Sequence, residues 1–166
     1  MSNLKYCVNL QMESFHCPSI ILPKSVQGLL RKANISDTDI ISEFFSGFIY
    51  DCFSTMTTPE QQLQTAKIYI ESENLYILCN NNEIISMANI AHRSKRHERI
   101  NEVYTKPCMR GKGFGGMIVS ELCHIIFSEH RVPVLYTDLA NPASNKAYKN
   151  VGFIECGKVS QILFEK

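Results

Sequence analysis

The order of helix-like and strand-like segments predicts an α+β fold with one parallel βαβ crossover. Apolar residues recur at helical spacing over residues 36–53, 58–73 and 114–126, whereas short strand-like runs occupy 75–105 and 133–138. Only the segment from 99 to 138 has the strand–helix–strand order that joins two parallel strands by a helix. The remaining strands are expected to pair as antiparallel hairpins.

The composition is that of an ordinary cytoplasmic domain. The chain has 166 residues, 45% of them hydrophobic, and a formal net charge of +1, without the basic excess typical of proteins that bind nucleic acid or membrane surfaces. No apolar run approaches the length of a membrane span. Its seven cysteines form no CxxC pair, and its five histidines lack metal-ligand spacing. We therefore expect reduced thiols, a cytoplasmic location and no bound metal, nucleic acid or membrane.

Helix signals are clearest at three places. Ser36 is predicted to cap the helix over residues 36–53, and Thr58, followed by proline, to cap the next. Asn141, also followed by proline, is predicted to cap the last helix, which Gly152 ends after Val151.

The strand signals differ in strength. LYILCNNNEIISMANIAH predicts a hairpin, and HRSKRHER (92–99) predicts its solvated connection to the strand ERINEVYT. PVLYTD is typical of a buried parallel strand, while FIECG and VSQILFEK predict a closing hairpin. KYCVNLQM and IILP in residues 1–27 are compatible with one or two short strands.

The sequence MRGKGFGGM (109–117) predicts a phosphate-binding turn before a helix, because glycines let backbone N–H groups converge at a helix start. It lacks the Lys-Ser/Thr of a P-loop. Gly111, Gly113 and Gly116 do satisfy G-x-G-x-x-G, with Asp138 at the distance of a ribose-binding acid. In a dinucleotide fold, however, the first glycine directly follows the strand, whereas five residues intervene here. That fold also needs several βαβ units, and this sequence predicts only one.

Two ordered motifs resemble the GNAT (Gcn5-related N-acetyltransferase) superfamily. The signature R/Q-x-x-G-x-G/A matches Arg110, Gly113 and Gly115. The pattern N-x-x-S-N-x-x-Y-x-x-x-G-F matches Asn141, Ser144, Asn145, Tyr148, Gly152 and Phe153. The resemblance covers residues 29–166 and is strongest from 99 onward.

This resemblance implies an α/β/α layered GNAT domain over residues 28–166, preceded by an N-terminal extension over 1–27. Its sheet would be twisted, mixed and mostly antiparallel, with helices on both faces. The sheet would splay between the strand at 99–105 and the strand at 133–138, and the pantetheine arm of coenzyme A would enter that opening.

The activity that the resemblance implies is acetyl transfer from acetyl-CoA to a primary amine, by direct attack in a ternary complex. The residues expected to bind the coenzyme are Val103, Tyr104, Thr105, Arg110, Gly111, Lys112, Gly113, Phe114, Gly115, Gly116, Asn141, Ser144, Asn145 and Tyr148. A backbone N–H near Val103 would polarise the thioester carbonyl.

Tyr148 is the expected proton donor to the departing thiolate, while the base is left open between Glu102, His92 and a relay of waters. Strand alternation turns Asn101 and Val103 away from the face of Glu102. Cys108 is disfavoured as a nucleophile because it lies in a turn.

The sequence does not decide whether the acceptor is a small molecule or a peptide or protein amine. It also does not decide whether the chain is a monomer or a homodimer. Acidic residues at 37, 39, 43 and 51 would suit a cationic amine, but acids at helix starts also match the helix dipole. A non-catalytic acyl-CoA sensor and an NAD-type dinucleotide-binding protein are the alternatives.

Overall fold

Seven strands and four α-helices make up the described part of the chain, residues 5–21 and 27–164 of a computed structural model. The strands are β1 (Tyr6–His16), β2 (Leu29–Lys32), β3 (Leu75–Asn80), β4 (Glu83–Ala91), β5 (His97–Thr105), β6 (Val132–Asp138) and β7 (Ile154–Phe164). The helices are α1 (Thr38–Phe53), α2 (Pro59–Glu71), α3 (Phe114–Ser128) and α4 (Pro142–Val151), with 3₁₀ turns at Ile35–Asp37 and Pro107–Met109.

All seven strands form one sheet in the order β2-β3-β4-β5-β6-β1-β7. Every neighbouring pair is antiparallel except β5 and β6, which α3 connects in parallel. One hydrophobic core packs α3 and the end of α4 on one face of the sheet, and a second packs α1 and α2 on the other. This arrangement confirms the predicted α+β fold with helices on both faces.

The predicted splay between β5 and β6 is also confirmed. These strands pair only at His97–Arg99 with Val132–Val134, and no pair follows between 100–105 and 135–138. At the closed end of this gap, the fully buried side chain of Glu98 pairs with Arg93 and Arg131. Arg131 belongs to the α3–β6 connection and Arg93 to the β4–β5 connection, so this cluster holds the two strands together where the gap begins.

The predicted C-terminal hairpin is wrong. Residues 154–164 form the single strand β7, and its only described sheet neighbour is β1, which lies between β6 and β7. The glycine that indicated a turn, Gly157, instead follows a β-bulge, because Ser14 pairs with Gly157 and Phe15 pairs with Glu155. Ile20 and Ile21 of the IILP run are not in a strand, and the rest of that run lies outside the described residues.

Three of the four predicted helix boundaries are confirmed. The Thr58 side chain accepts a hydrogen bond from the Gln61 amide at the start of α2. The Asn141 side chain accepts one from the Ser144 amide at the start of α4. Gly152 ends α4 with a φ of +109°, a conformation that glycine adopts without steric cost.

The predicted cap at Ser36 is wrong. Asn34 caps the 3₁₀ turn that precedes α1, and both the amide and the hydroxyl of Ser36 donate to its side-chain oxygen. The Asp37 carboxylate closes this capping box by accepting from the Asn34 amide, and Arg31 pairs with the same carboxylate. The extra turn therefore moves the start of α1 to Thr38.

Both expected connections of the β3–β4–β5 meander are present. Asn81 and Asn82 form the β3–β4 turn with φ values of +49° and +62°, the left-handed conformation of a tight hairpin turn. Residues 92–96 of the basic run HRSKRHER form an exposed connection between β4 and β5, whereas residues 97–99 of that run already belong to β5, where Glu98 is fully buried.

Candidate active site

The gap between β5 and β6 opens into a cleft of about 1020 Å³. Its walls come from the unpaired ends of β5 and β6, the glycine-rich loop at 109–116, the exposed side of α4 and the C-terminal end of α1. Buried backbone N–H and C=O groups need hydrogen-bond partners. The strand edges along this gap can therefore receive an extended, amide-containing ligand.

Free backbone donors line one end of the cleft, where α3 begins. Gly113 occupies the cap position with a φ of +91° and supplies no side-chain acceptor. The first intrahelical bond runs from the Met117 amide to the Gly113 carbonyl, so the N–H groups of Phe114, Gly115 and Gly116 have no helical partner. These groups lie where the helix dipole favours an anion.

Glycine serves different purposes in this loop: Gly111 and Gly113 adopt positive φ values, and Gly115 leaves the amides accessible. Gly111 has a φ of +73°, which most other residues adopt only with strain. Gly115 lies against β5, where an added Cβ would come within 3.4 Å of the Thr105 hydroxyl. A larger side chain at 115 would press on Thr105 and shield the amides from a phosphate.

The two cations of the loop are placed differently. The Arg110 Nε donates to the Thr105 carbonyl at 2.9 Å, and its Nη2 lies 2.5 Å from the Asp51 carboxylate of α1. Its guanidinium carbon lies 5.2 Å from the centroid of the Tyr104 ring. The side chain therefore fastens the loop to α1. Lys112 is exposed, its Nζ lies 3.6 Å from the Met109 sulfur, and it is not among the residues that line the cleft.

Gly47 of α1 makes room for the tyrosine ring on which Arg110 lies. A Cβ at position 47 would come within 2.5 Å of the Tyr104 Cζ. Tyr104 is 8% exposed and packs against Phe44 at 5.2 Å, so the ring cannot move aside freely. Close approach of the ring to the helix backbone thus depends on glycine.

We expect Gly47→Ala to lower the free energy of unfolding by about 1–3 kcal/mol through overpacking, although alanine has the higher helix propensity. Urea unfolding followed by circular dichroism measures this. Gly116→Ala is the control, because its Cβ would meet Val151 at an ordinary 3.6 Å. Equal stability of both variants would contradict the contact between α1 and Tyr104.

Four residues in α4 or at its cap were expected to bind the coenzyme, and three of them, Asn141, Ser144 and Tyr148, line the cleft. The fourth, Asn145, is not among the lining residues, and its side-chain nitrogen donates to the Asp138 carbonyl at 3.2 Å. The half-buried Tyr148 ring packs edge-on against Phe153. Burial raises the pKa of Tyr148 to about 12, so its phenol keeps its proton at neutral pH.

Glu102 lies on a β-bulge in β5. Met87 pairs with Tyr104 and Asn89 pairs with Asn101, so two residues of β5 oppose one of β4. Glu102 adopts a φ of +51°, which is uncommon for a non-glycine residue and is found preferentially at functional sites.

The bulge corrects the prediction that Asn101 and Val103 both face away from Glu102. Val103 packs against the core beside α3, but the Asn101 side-chain nitrogen donates to the Glu102 carboxylate at 3.3 Å. Asn101 and Glu102 therefore present their polar groups together, which strict alternation forbids.

The same Glu102 carboxylate accepts a hydrogen bond from the hydroxyl of Tyr69 in α2, at 3.2 Å. Burial raises the pKa of Glu102 above its usual value, although the Tyr69 hydrogen bond and the charge of Arg99 act in the opposite direction. Burial and the Glu102 charge in turn raise the pKa of Tyr69 to about 12. A carboxylate with a raised pKa beside a cleft is suited to accept a proton.

Two other reactive side chains lie apart from this site. His92 is exposed in the β4–β5 connection, at the closed end of the gap, and does not line the cleft. Of the two side chains left open as the base, the structure therefore places Glu102 at the cleft and His92 away from it. Cys108 is exposed in the 3₁₀ turn after β5 and is not a lining residue either.

Sequence reasoning missed the contribution of distant segments to the cleft. Tyr69 of α2 reaches Glu102, and Leu10 and Met12 of β1 line the wall beside β6. The end of α1 adds Phe48, Asp51, Cys52 and Phe53. Of these, only Asp51 carried a signal in the sequence, as one of several acidic residues in this region.

Comparison with known families agrees with this geometry. The family model described as Acetyltransferase (GNAT) family matches residues 39–153, which is more than half of the chain. No curated protein matches the sequence at a significant level. Among the described residues, no helix combines the length and the apolar composition needed to cross a bilayer.

Solved structures share the fold at low sequence identity. A GNAT-family acetyltransferase from Colwellia psychrerythraea matches with a TM-score of 0.71 and 12% identity over 96% of this chain and 56% of its own. A ribosomal-protein-alanine N-acetyltransferase from Brucella melitensis matches with a TM-score of 0.65 and 18% identity, over 78% of this chain and 86% of its own. A Mycobacterium tuberculosis protein in complex with CoA matches with a TM-score of 0.51 and 16% identity, over 62% of this chain and 60% of its own. This chain thus spans little more than half of the Colwellia protein.

Proposed function

The chain belongs to the acetyltransferase (GNAT) family, and from this premise we propose that it transfers an acetyl group from acetyl-CoA to a primary amine. The observation that carries the proposal is the gap between β5 and β6, which opens beside the free amides at the start of α3. Few sheets leave two neighbouring strands unpaired, because unpaired backbone groups need partners when they are buried.

The residues of the cleft fit coenzyme A. The amides of Phe114, Gly115 and Gly116 would hold its diphosphate, with Gly111 and Gly113 shaping the turn. Val103, Tyr104 and Thr105 would pair through their backbone with the amides of the pantetheine arm, and Asn141 and Ser144 border the same space. When bound, acetyl-CoA supplies the activated acetyl group as a thioester.

Proton transfer is assigned to two side chains that line the cleft. An alkylamine is mostly protonated at neutral pH and must lose a proton before it attacks; Glu102 accepts this proton directly or through a water. Tyr148, whose phenol stays protonated, donates to the departing sulfur. The amide of Val103, next to the bulge, is the expected donor to the thioester carbonyl.

Tyr148→Phe tests the acid role, because phenylalanine keeps the packing against Phe153 and loses only the hydroxyl. We expect kcat to fall by about 10²-fold, the lower end of the effect of a positioned proton donor. The Kd for CoA, measured by calorimetry, should stay unchanged. Turnover is measured as thiol release with a panel of primary amines.

Tyr136→Phe provides the control, since this tyrosine lies on β6 and also borders the cleft. A wild-type rate in Tyr148→Phe would remove Tyr148 from the mechanism. CoA binding without acetylation of any amine would favour a non-catalytic acyl-CoA sensor. A thermal shift with NAD but not with CoA would contradict the proposal altogether.

A further inference from the structure

Arg99 of β5 has a guanidinium without an ionic partner among the residues that the structure describes. Its Nε is buried and makes no hydrogen bond. Four other arginines pair with carboxylates: Arg31, Arg93, Arg110 and Arg131. Burying part of a charged group without a partner is unfavourable, so the position of Arg99 calls for an explanation.

Arg99 is not itself one of the residues that line the cleft, but its guanidinium lies over one of them at the closed end of the gap. Its carbon is 5.6 Å from the centroid of the Tyr136 ring on β6, and Tyr136 lines the cleft and is 41% exposed. Arg99 therefore spans from β5 to β6 where their pairing stops. Its charge also lowers the pKa of Glu102 against the larger effect of burial, which places the two groups within electrostatic reach.

The carboxylates of the cleft have other partners. Asp51 pairs with Arg110, and Asp138 accepts a hydrogen bond from the Ala140 amide at 2.8 Å. Glu102 accepts hydrogen bonds from Tyr69 and Asn101. The cleft thus presents a carboxylate base, and at its closed end a guanidinium that has no ionic partner among the described residues lies over the Tyr136 ring.

We propose that the acceptor is a small zwitterion of the amino-acid type, whose carboxylate binds Arg99 while its amine faces Glu102. This inference depends on the proposed function, because it names the substrate class of the same site. A guanidinium binds a carboxylate through two parallel hydrogen bonds, a geometry that lysine cannot reproduce. A diamine would instead bring its second cation against Arg99.

Matched substrates test the inference directly. Glycine, β-alanine and γ-aminobutyrate are compared with their amides, which keep the amine and lose the negative charge. For the preferred chain length, we expect KM to be about 10-fold or more lower for the acid than for the amide, the effect of a charge-assisted pair. The three lengths also measure how far the carboxylate lies from the reacting amine.

Arg99→Gln should raise KM for the preferred acid by about 10–100-fold and change KM for the amide much less. Any change in kcat that follows from the altered pKa of Glu102 should be the same for the acid and the amide. Arg99→Lys should restore part of the preference, since it keeps the charge without the bidentate geometry. Arg96→Gln is the matched control, because Arg96 is exposed in the adjacent connection. CoA affinity verifies that each variant is folded.

Equal KM values for acids and amides in the wild-type protein would overturn the inference, as would an equal loss for both in Arg99→Gln. Acetylation of amides or diamines in preference to the acids would support the proposed function but overturn the inference about the substrate. If no amine is acetylated, binding of the amino acid to the CoA-loaded protein is measured instead, as a thermal shift. A shift in the wild-type protein that is absent in Arg99→Gln would support the zwitterion site. The lack of any such shift would refute it.

Discussion

Glu102→Gln is expected to lower kcat/KM at neutral pH by about 10²–10⁴-fold, the range for loss of a general base. Glutamine keeps the shape of the side chain and can still accept hydrogen bonds from Tyr69 and Asn101. It cannot take a proton from the amine. In the wild-type protein, kcat/KM should fall at acid pH as Glu102 becomes protonated, and this acid limb should vanish in the variant.

The same substitution should make the protein more stable at neutral pH. Burial raises the folded-state pKa of Glu102 above that of the unfolded chain. The folded state therefore loses stability as the pH rises through the folded pKa, and this penalty is absent below the unfolded pKa. Since glutamine is never charged, the gain in melting temperature should be present at neutral pH and disappear in acid.

Glu71→Gln is the control for both measurements, because Glu71 is exposed on α2. A wild-type rate in Glu102→Gln would show that a relay of waters, rather than this carboxylate, removes the proton. A gain in stability that persists unchanged in acid would contradict the raised pKa.

Phe15→Ala is expected to lower the free energy of unfolding by about 3–5 kcal/mol, as for other fully buried phenylalanines. Phe15 lies on β1, has no exposed surface and packs in the core beneath α3. This loss is a large share of the roughly 5–15 kcal/mol that stabilises a typical domain. Denaturant unfolding at constant pH measures it.

Val8→Ala separates the role of the core from that of the strand. Val8 lies on the same strand but is 49% exposed, so its truncation should change stability by less than about 0.5 kcal/mol. If both variants unfold at the same denaturant concentration, β1 does not contribute to the core and its place in the sheet is wrong.

Local signals in the sequence predicted the parts of the site that depend on neighbouring residues. The glycines at 111, 113 and 115 indicated a backbone cradle, and Asn141 with a following proline indicated the start of α4. These features follow from the conformations that single residue types favour. The glycine turn and the cap could therefore be placed before any tertiary contact was known.

The features that the sequence did not predict depend on contacts between distant segments. Gly157 is compatible with either a turn or a bulge, and only its pairing with Ser14 decides for the bulge. Strand periodicity likewise assumes regular pairing, so it cannot reveal that the bulge at Glu102 opposes a single residue of β4. Tyr69 lies on α2, which β3 and β4 separate from β5 along the chain, so no local pattern indicates its hydrogen bond to Glu102.

The location of β1 has a consequence for how the polypeptide matures. Of the seven described strands, translation delivers this one before the others, whereas both strands that flank it, β6 and β7, come after the rest. The meander of β2 to β5 can assemble while synthesis continues, whereas β1 has no neighbour to pair with until β6 has emerged. Pairings that join such remote segments close large loops and form slowly. We therefore expect the wall of the cleft beside β6 to be the last part of the molecule to acquire its native form.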